Sequence, residues 1–123
     1  MNGTKLLLDI NVVLYYLSGD QTIKELLNGK SLYVSFITEL ELLGYRGISE
    51  DEKVQIKLFL KECNIVNITE QIKEQAIKIR KAYQMKLPDS IISATSIYLE
   101  VPLLTADSDF NKIEEIDTLI YEL

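Results

Sequence analysis

Asp9, Glu41, Asp89, Asp107 and Asp109 stand in contexts where a carboxylate can do chemistry as well as keep a surface soluble. Asp9 closes the apolar run Leu6, Leu7, Leu8, and after Ile10 and Asn11 come Val12, Val13, Leu14, Tyr15, Tyr16 and Leu17. A carboxylate hemmed in by apolar sequence needs a hydrogen-bond donor, a cation or a metal ion, since burying an unpaired charge costs on the order of several kcal/mol. The other acids lie in "SFITELELLG" (Glu41), "LPDSIISATSIYL" (Asp89) and "TADSDF" (Asp107 and Asp109). Each has a plainer reading by itself. An Asp in a first helical turn complements the helix dipole, and an Asp before a short helix is an ordinary cap. Glu39 competes with Glu41, and helical periodicity does not choose between them. As a set they are harder to explain without a cation: two carboxylates 5 Å apart repel by about 3 kcal/mol at an effective dielectric of 20. Magnesium or manganese, hard ions that take oxygen ligands and retain water, would suit such a set.

The rest of the inventory narrows the chemistry. With no histidine and Cys63 as the single cysteine, the chain has no internal disulfide, no Cys/His zinc site and no Ser-His-Asp or Cys-His arrangement. Catalysis would rest on carboxylates, a hard metal ion, lysine or hydroxyl groups. A net charge of −6 argues against a general nucleic-acid coat, yet acids concentrated at one metal centre are compatible with a local basic patch that holds phosphate. The best such patch is "IKEQAIKIRKAYQMK", which offers Lys78, Arg80, Lys81 and Lys86 as phosphate contacts and ends beside Asp89. The same spacing also describes a solvated helix face. Tyr15, Tyr16 and Tyr83 are candidates for stacking on bases or for ordinary packing.

These residues need a scaffold. Lys5 to Leu8 reads as a strand buried on both faces, followed by helices over Asn11 to Leu17 and Gln21 to Leu27. Ser31 to Ser35 reads as a second strand, and Phe36 to Tyr45 as a helix with Phe36, Ile37, Leu40 and Leu43 toward the core. Ser49 with the acids after it caps a helix bearing Val54, Ile56, Leu58, Phe59 and Leu60. Asn64 to Ile68 is a third strand. Thr69 caps a long helix to about Met85, and Pro88 opens another that runs to about Leu99. Pro102 to Thr105 is a fourth strand, Ser108 to Glu115 a short helix, and Thr118 to Tyr121 a fifth strand. This alternation predicts an α/β fold with a central parallel sheet of about five strands and helices on both faces, one domain over residues 1–123. In such sheets ligands bind outside the carboxyl ends of the strands, where Asp9 and Asp107 fall. No apolar run approaches the ~20 residues of a membrane span, and no signal peptide opens the chain, so a cytoplasmic protein with no membrane partner is expected.

The stretches "LLLDINVVLYYLSGD", "VSFITELELLGY" and "LPDSIISATSIYLEVPLLTADSDF" together resemble the successive signatures of PIN-domain ribonucleases, in particular the VapC-like toxins of type II toxin-antitoxin modules. Asp9 and Asn11 match the family's opening Asp and Asn. Ser35, Ile37, Thr38 and Glu41-Leu42 match the stretch that carries its Glu, which selects Glu41 over Glu39. Asp89 matches the Asp that opens a small-residue helix, and Thr105, Asp107, Asp109 and Phe110 match the last motif. The chain departs from the pattern at Ile10, where relatives usually carry Thr or Ser, and at Ser90 and Ser93, where alanines are common. The resemblance implies a single PIN-like domain and a Mg²⁺- or Mn²⁺-dependent endoribonuclease. It places Asp9, Asp89 and Asp107 at the ion, Glu41 as a further ligand or water-orienting base, and Asp109 at a second ion or in support of Asp107. Asn11 and Thr105 would hold the ligating carboxylates in place. RNA is the implied substrate, with a cognate antitoxin and a homodimer as the implied partners. Two other classes are weighed against it. A phosphotransfer domain also sets an Asp after its first strand, but wants a second acid where Asn11 stands or an acidic pair with a later lysine. A catalytically silent PIN-like module that binds RNA or protein would draw its support from Ile10.

Overall fold

The computed structural model describes residues 4–122. The chain runs β1 (Lys5–Leu8), α1 (Ile10–Leu17), α2 (Gln21–Leu27), β2 (Ser31–Ser35), α3 (Phe36–Gly44), α4 (Glu50–Lys61), β3 (Asn64–Val66), α5 (Glu70–Tyr83), α6 (Leu87–Leu99), β4 (Leu103–Thr105), a 3-10 turn (Ser108–Lys112) and β5 (Thr118–Ile120). The strands form one sheet in the order β3-β2-β1-β4-β5, and every neighbouring pair is parallel. The connections from β1 go one way to β2 and the later chain returns on the other side to β4. The crevice between β1 and β4 is therefore the topological switch point, where open α/β sheets bind ligands.

Helix starts follow local chemistry. Ser49 and Glu52 form a reciprocal capping box at α4, Thr69 accepts from the Ile72 amide at α5, and Pro88 falls within the first two positions of α6. α5 ends on Gln84 in the left-handed region (φ 55), which stops the helix and turns the chain toward α6.

Two apolar layers sandwich the sheet. Leu6, Leu8, Val12, Val13, Val34, Leu42, Ile56 and Phe59 fill one side, and Leu7, Ile79, Ile92, Leu103, Phe110 and Ile113 the other. Alternate residues of β1 thus serve opposite layers, the pattern of a central strand buried on both faces. Two helices turn differently from the sequence expectation. In α3 the fully buried residues are Thr38 and Leu42, while Leu40 is 58% exposed; in α4 Ile56, Phe59 and Leu60 are buried while Val54 and Leu58 lie open. Helices rich in apolar residues around their circumference leave the choice of face to their neighbours, so periodicity alone misplaced Leu40. The last strands are also shorter than expected, and the segment after Asp107 is a 3-10 turn.

Candidate active site

The rim of the sheet assembles the site. Register pairs Leu7 with Tyr33 and Leu8 with Leu104, so the next step sets Asp9 beside Ser35 of β2 and Thr105 of β4. All three side chains are polar and buried, which marks the rim as a polar shelf above an apolar core.

Asp9 caps α1. Its Oδ1 accepts from the Ile10 amide at 2.9 Å, and its Oδ2 accepts from the Thr105 hydroxyl at 2.6 Å and from the Asn11 amide at 3.2 Å. Asn11 in turn accepts from the Ala106 amide at 3.0 Å, and the Thr105 hydroxyl accepts from the Asp107 amide at 3.0 Å. This closed ring of hydrogen bonds ties the loop that carries Asp9 to the loop that carries Asp107. At position 10 only the backbone serves Asp9, because the Ile10 side chain packs into the apolar layer.

The remaining acids face the same space from separate elements. Asp89 is half-buried in the first turn of α6, and among the described residues its carboxylate accepts no hydrogen bond. Burial first, then the charges of Asp9, Asp107 and Glu41, push it up to about 6, against the opposing pull of Lys86. Burial also raises Asp9, with the Asp107 charge adding to it, while the bonds from Thr105, Ile10 and Asn11 counteract the shift. Glu41, on the exposed side of α3, is raised by desolvation and by the charge of Asp9. Asp107 is exposed and caps the 3-10 turn by accepting from the Asp109 amide at 2.9 Å. Asp109 turns toward Lys112, 4.0 Å away.

An all-oxygen set of mutually repelling carboxylates, one of them half-dry and without a donor, fits a hard divalent cation by its chemistry. Among the described residues no three acidic side chains stand close enough to form a finished coordination cage. A magnesium ion there would take its further oxygens from water or substrate phosphate, as it characteristically does.

Outside the acids, Lys78, Arg80, Lys81 and Lys86 are exposed, and none forms an ion pair among the described residues. The tyrosines considered for stacking are engaged within the fold: Tyr16 packs on Phe59 with ring centroids 4.9 Å apart, Tyr15 lies 6.0 Å from Tyr121, and the Tyr83 hydroxyl donates to Glu115 at 2.6 Å. Burial pushes the Cys63 thiol up to about 12, which leaves it inert as a nucleophile. Sequence reasoning gave no structural part to Ser35, whose hydroxyl caps α3, or to Thr38, whose buried hydroxyl has no partner in the fold. Polar residues at helical spacing within the apolar "SFITELELLG" were the available signal.

Fold and site together define a small parallel α/β domain with carboxylates gathered at the switch-point rim of its sheet. The family model of the PIN domain matches residues 6–116, and the chain belongs to that family. Among solved structures it is similar to a chain of a toxin-antitoxin complex from Klebsiella pneumoniae, with 29% identity and a TM-score of 0.82 over 96% of this chain and 99% of that one. It also shares its fold with a chain of VapBC-1 from nontypeable Haemophilus influenzae (23% identity, TM-score 0.78, covering 94% and 97%). A chain of VapBC2 from Rickettsia felis, bound to a DNA fragment from its promoter, has the same fold at 15% identity (TM-score 0.82, covering 96% and 99%). Among curated proteins none matches by sequence.

Proposed function

We propose that the protein is a metal-dependent endoribonuclease, the VapC-like toxin of a toxin-antitoxin pair. The observation that carries this reading is the electrostatic coupling of Asp89 to Asp9, Asp107 and Glu41, acids brought from four separate segments to one rim. Asp9, Asp89 and Asp107 would hold Mg²⁺ or Mn²⁺. The ion would supply positive charge to the scissile phosphate and lower the pKa of a water toward neutrality. Thr105 and Asn11 fix the orientation of Asp9 by saturating its Oδ2, which leaves the carboxylate no freedom to swing from the pocket. Glu41, raised by desolvation and by the charge of Asp9, would serve as a further ligand or as the base that orients the attacking water. Asp109 would support Asp107 through the amide bond at the 3-10 turn, or take part in a second ion site.

The Klebsiella relative is part of a toxin-antitoxin complex, and an antitoxin is proposed as this chain's partner, with a homodimer as its own assembly. A groove of about 350 Å³ between α1 and α4, lined by Leu14, Leu17, Tyr45 and Ile56 with Asp51 and Glu52 on its edge, supports a protein partner on that face.

The test is cleavage of single-stranded and structured RNA with Mg²⁺ or Mn²⁺. Wild type is expected to cut, with activity lost in EDTA and in Asp89→Asn. Cleavage undiminished by EDTA removes the metal mechanism. Metal-independent RNA or protein binding without cleavage establishes the silent module that the apolar Ile10 favours.

A further inference from the structure

α5 and α6 pack along one another more extensively than any other pair of elements, joined by the short turn through Gln84, Met85 and Lys86. Two consecutive helices in contact through so short a turn run antiparallel, so the last turn of α5 flanks the first turn of α6. That first turn carries Asp89. Arg80 and Lys81 occupy the last turn of α5, and Lys86 is the N-cap residue of α6. Met85 is buried and anchors the turn, so the cations around it are held at a fixed edge. All three are exposed and without an acidic partner within ion-pair distance among the described residues. By contrast, Lys73 lies roughly 12 Å further back along the helix from Lys81 at 1.5 Å per residue, where it pairs with Glu70.

Acids meet this edge from the stretch before β5, where Glu115 accepts from the hydroxyl of Tyr83 in the last turn of α5 at 2.6 Å, yet none of Arg80, Lys81 and Lys86 pairs with one among the described residues. In a chain of net charge −6, a group of exposed cations with no ion-pair partner among the described residues is where a polyanion would be held.

We propose that the α5–α6 turn is the phosphate track of the site, with Arg80, Lys81 and Lys86 holding the backbone of an RNA strand on the Asp89 side of the pocket. This rests on the ribonuclease reading and gives it a direction: the bound strand leaves the acids over the hairpin turn, with Lys86 on the phosphate nearest the cut. The pull of Lys86 on Asp89 agrees with that placement.

The experiment measures binding of oligouridylate to the full chain across a salt series, with Ca²⁺ replacing Mg²⁺, for wild type, Lys81→Gln, Lys86→Gln, Lys86→Arg and Lys73→Gln. Lys81→Gln and Lys86→Gln are each expected to weaken binding several-fold and to reduce the salt slope by about 0.7, the value of one phosphate contact on a single strand. Lys86→Arg should retain the wild-type slope, and Lys73→Gln should match wild type. Mn²⁺ affinity in Lys86→Gln should equal or exceed that of wild type, since a like charge has left the pocket edge. Unchanged slopes in both Gln variants, or an equal loss in Lys73→Gln, overturn the track. If wild type cuts RNA while the track variants bind normally, the track fails and the nuclease reading stands. If binding depends on Lys81 and Lys86 but no metal yields cleavage, the track stands and the nuclease reading fails.

Discussion

Asp89 and Thr105 illustrate opposite uses of a polar residue at the same rim. The Asp89 carboxylate is half-dry, has no donor among the described residues and sits among like charges, so its ionised form is a burden on the metal-free fold. In EDTA at pH 7.5, Asp89→Asn should raise unfolding stability by roughly 1–2 kcal/mol, the linkage value discounted for solvent screening at a half-exposed site, while removing the response to Mg²⁺. Thr105 donates to Asp9 and accepts from the Asp107 amide while fully buried, so the isosteric Thr105→Val removes the 2.6 Å bond to Asp9 and the acceptor of the Asp107 amide at once. Denaturant titration should show a loss of about 1–3 kcal/mol, and metal affinity should fall by roughly 10- to 100-fold. The pH dependence has a definite sign. Asp89 at about 6 when folded, against an ordinary 3.8, means that the native state holds the extra proton between those values. Apo stability should therefore fall as pH rises from about 4 to 6, and apparent Mn²⁺ affinity should drop as pH falls through about 6. Thermal melts and Mn²⁺ titrations across that range check both; a flat apo profile contradicts the assignment.

The helices differ in how much of their orientation their own residues specify. α4 begins with a complete capping box, so Ser49→Ala should lower thermal stability by about 1 kcal/mol in metal-free protein, independent of Mg²⁺. In α3 the buried Thr38 hydroxyl has no partner among the described residues, and a methyl in its place removes an uncompensated desolvation cost. Thr38→Val should accordingly leave stability unchanged or raise it by about 1 kcal/mol, and a clear loss would reveal a bound water that the hydroxyl holds. Starts and stops of elements were legible because Ser49, Thr69, Pro88 and the apolar run before Asp9 act locally. The buried face of α3 was not, because Phe36, Ile37, Leu40, Leu42 and Leu43 offer apolar surface on several sides. Contact with α1, α4 and α6 then selected Thr38 and Leu42.

For the whole molecule, ligand linkage gives a direct reading of the pocket. Mg²⁺ at tenfold excess over its dissociation constant should stabilise wild type by about 1.4 kcal/mol, and Asp89→Asn by less, as read from melting curves with and without EDTA. The alternation of apolar strands and capped helices by itself determined the parallel α/β architecture, because burial on both faces of a short apolar strand admits few other solutions. The absence of histidine and of a second cysteine likewise narrowed the candidates to carboxylates, a hard metal ion, lysine or hydroxyl groups. Only the tertiary structure decided that Asp9, Glu41, Asp89 and Asp107 share one field, since residues up to 98 positions apart meet through sheet register and helix packing. It also decided that Asp9 and Asp107 are linked through Thr105 and Asn11, and that Asp109 faces Lys112. The physical reason is that caps and periodicity act over one or two turns of chain, whereas a charge cluster depends on where separate elements end in space.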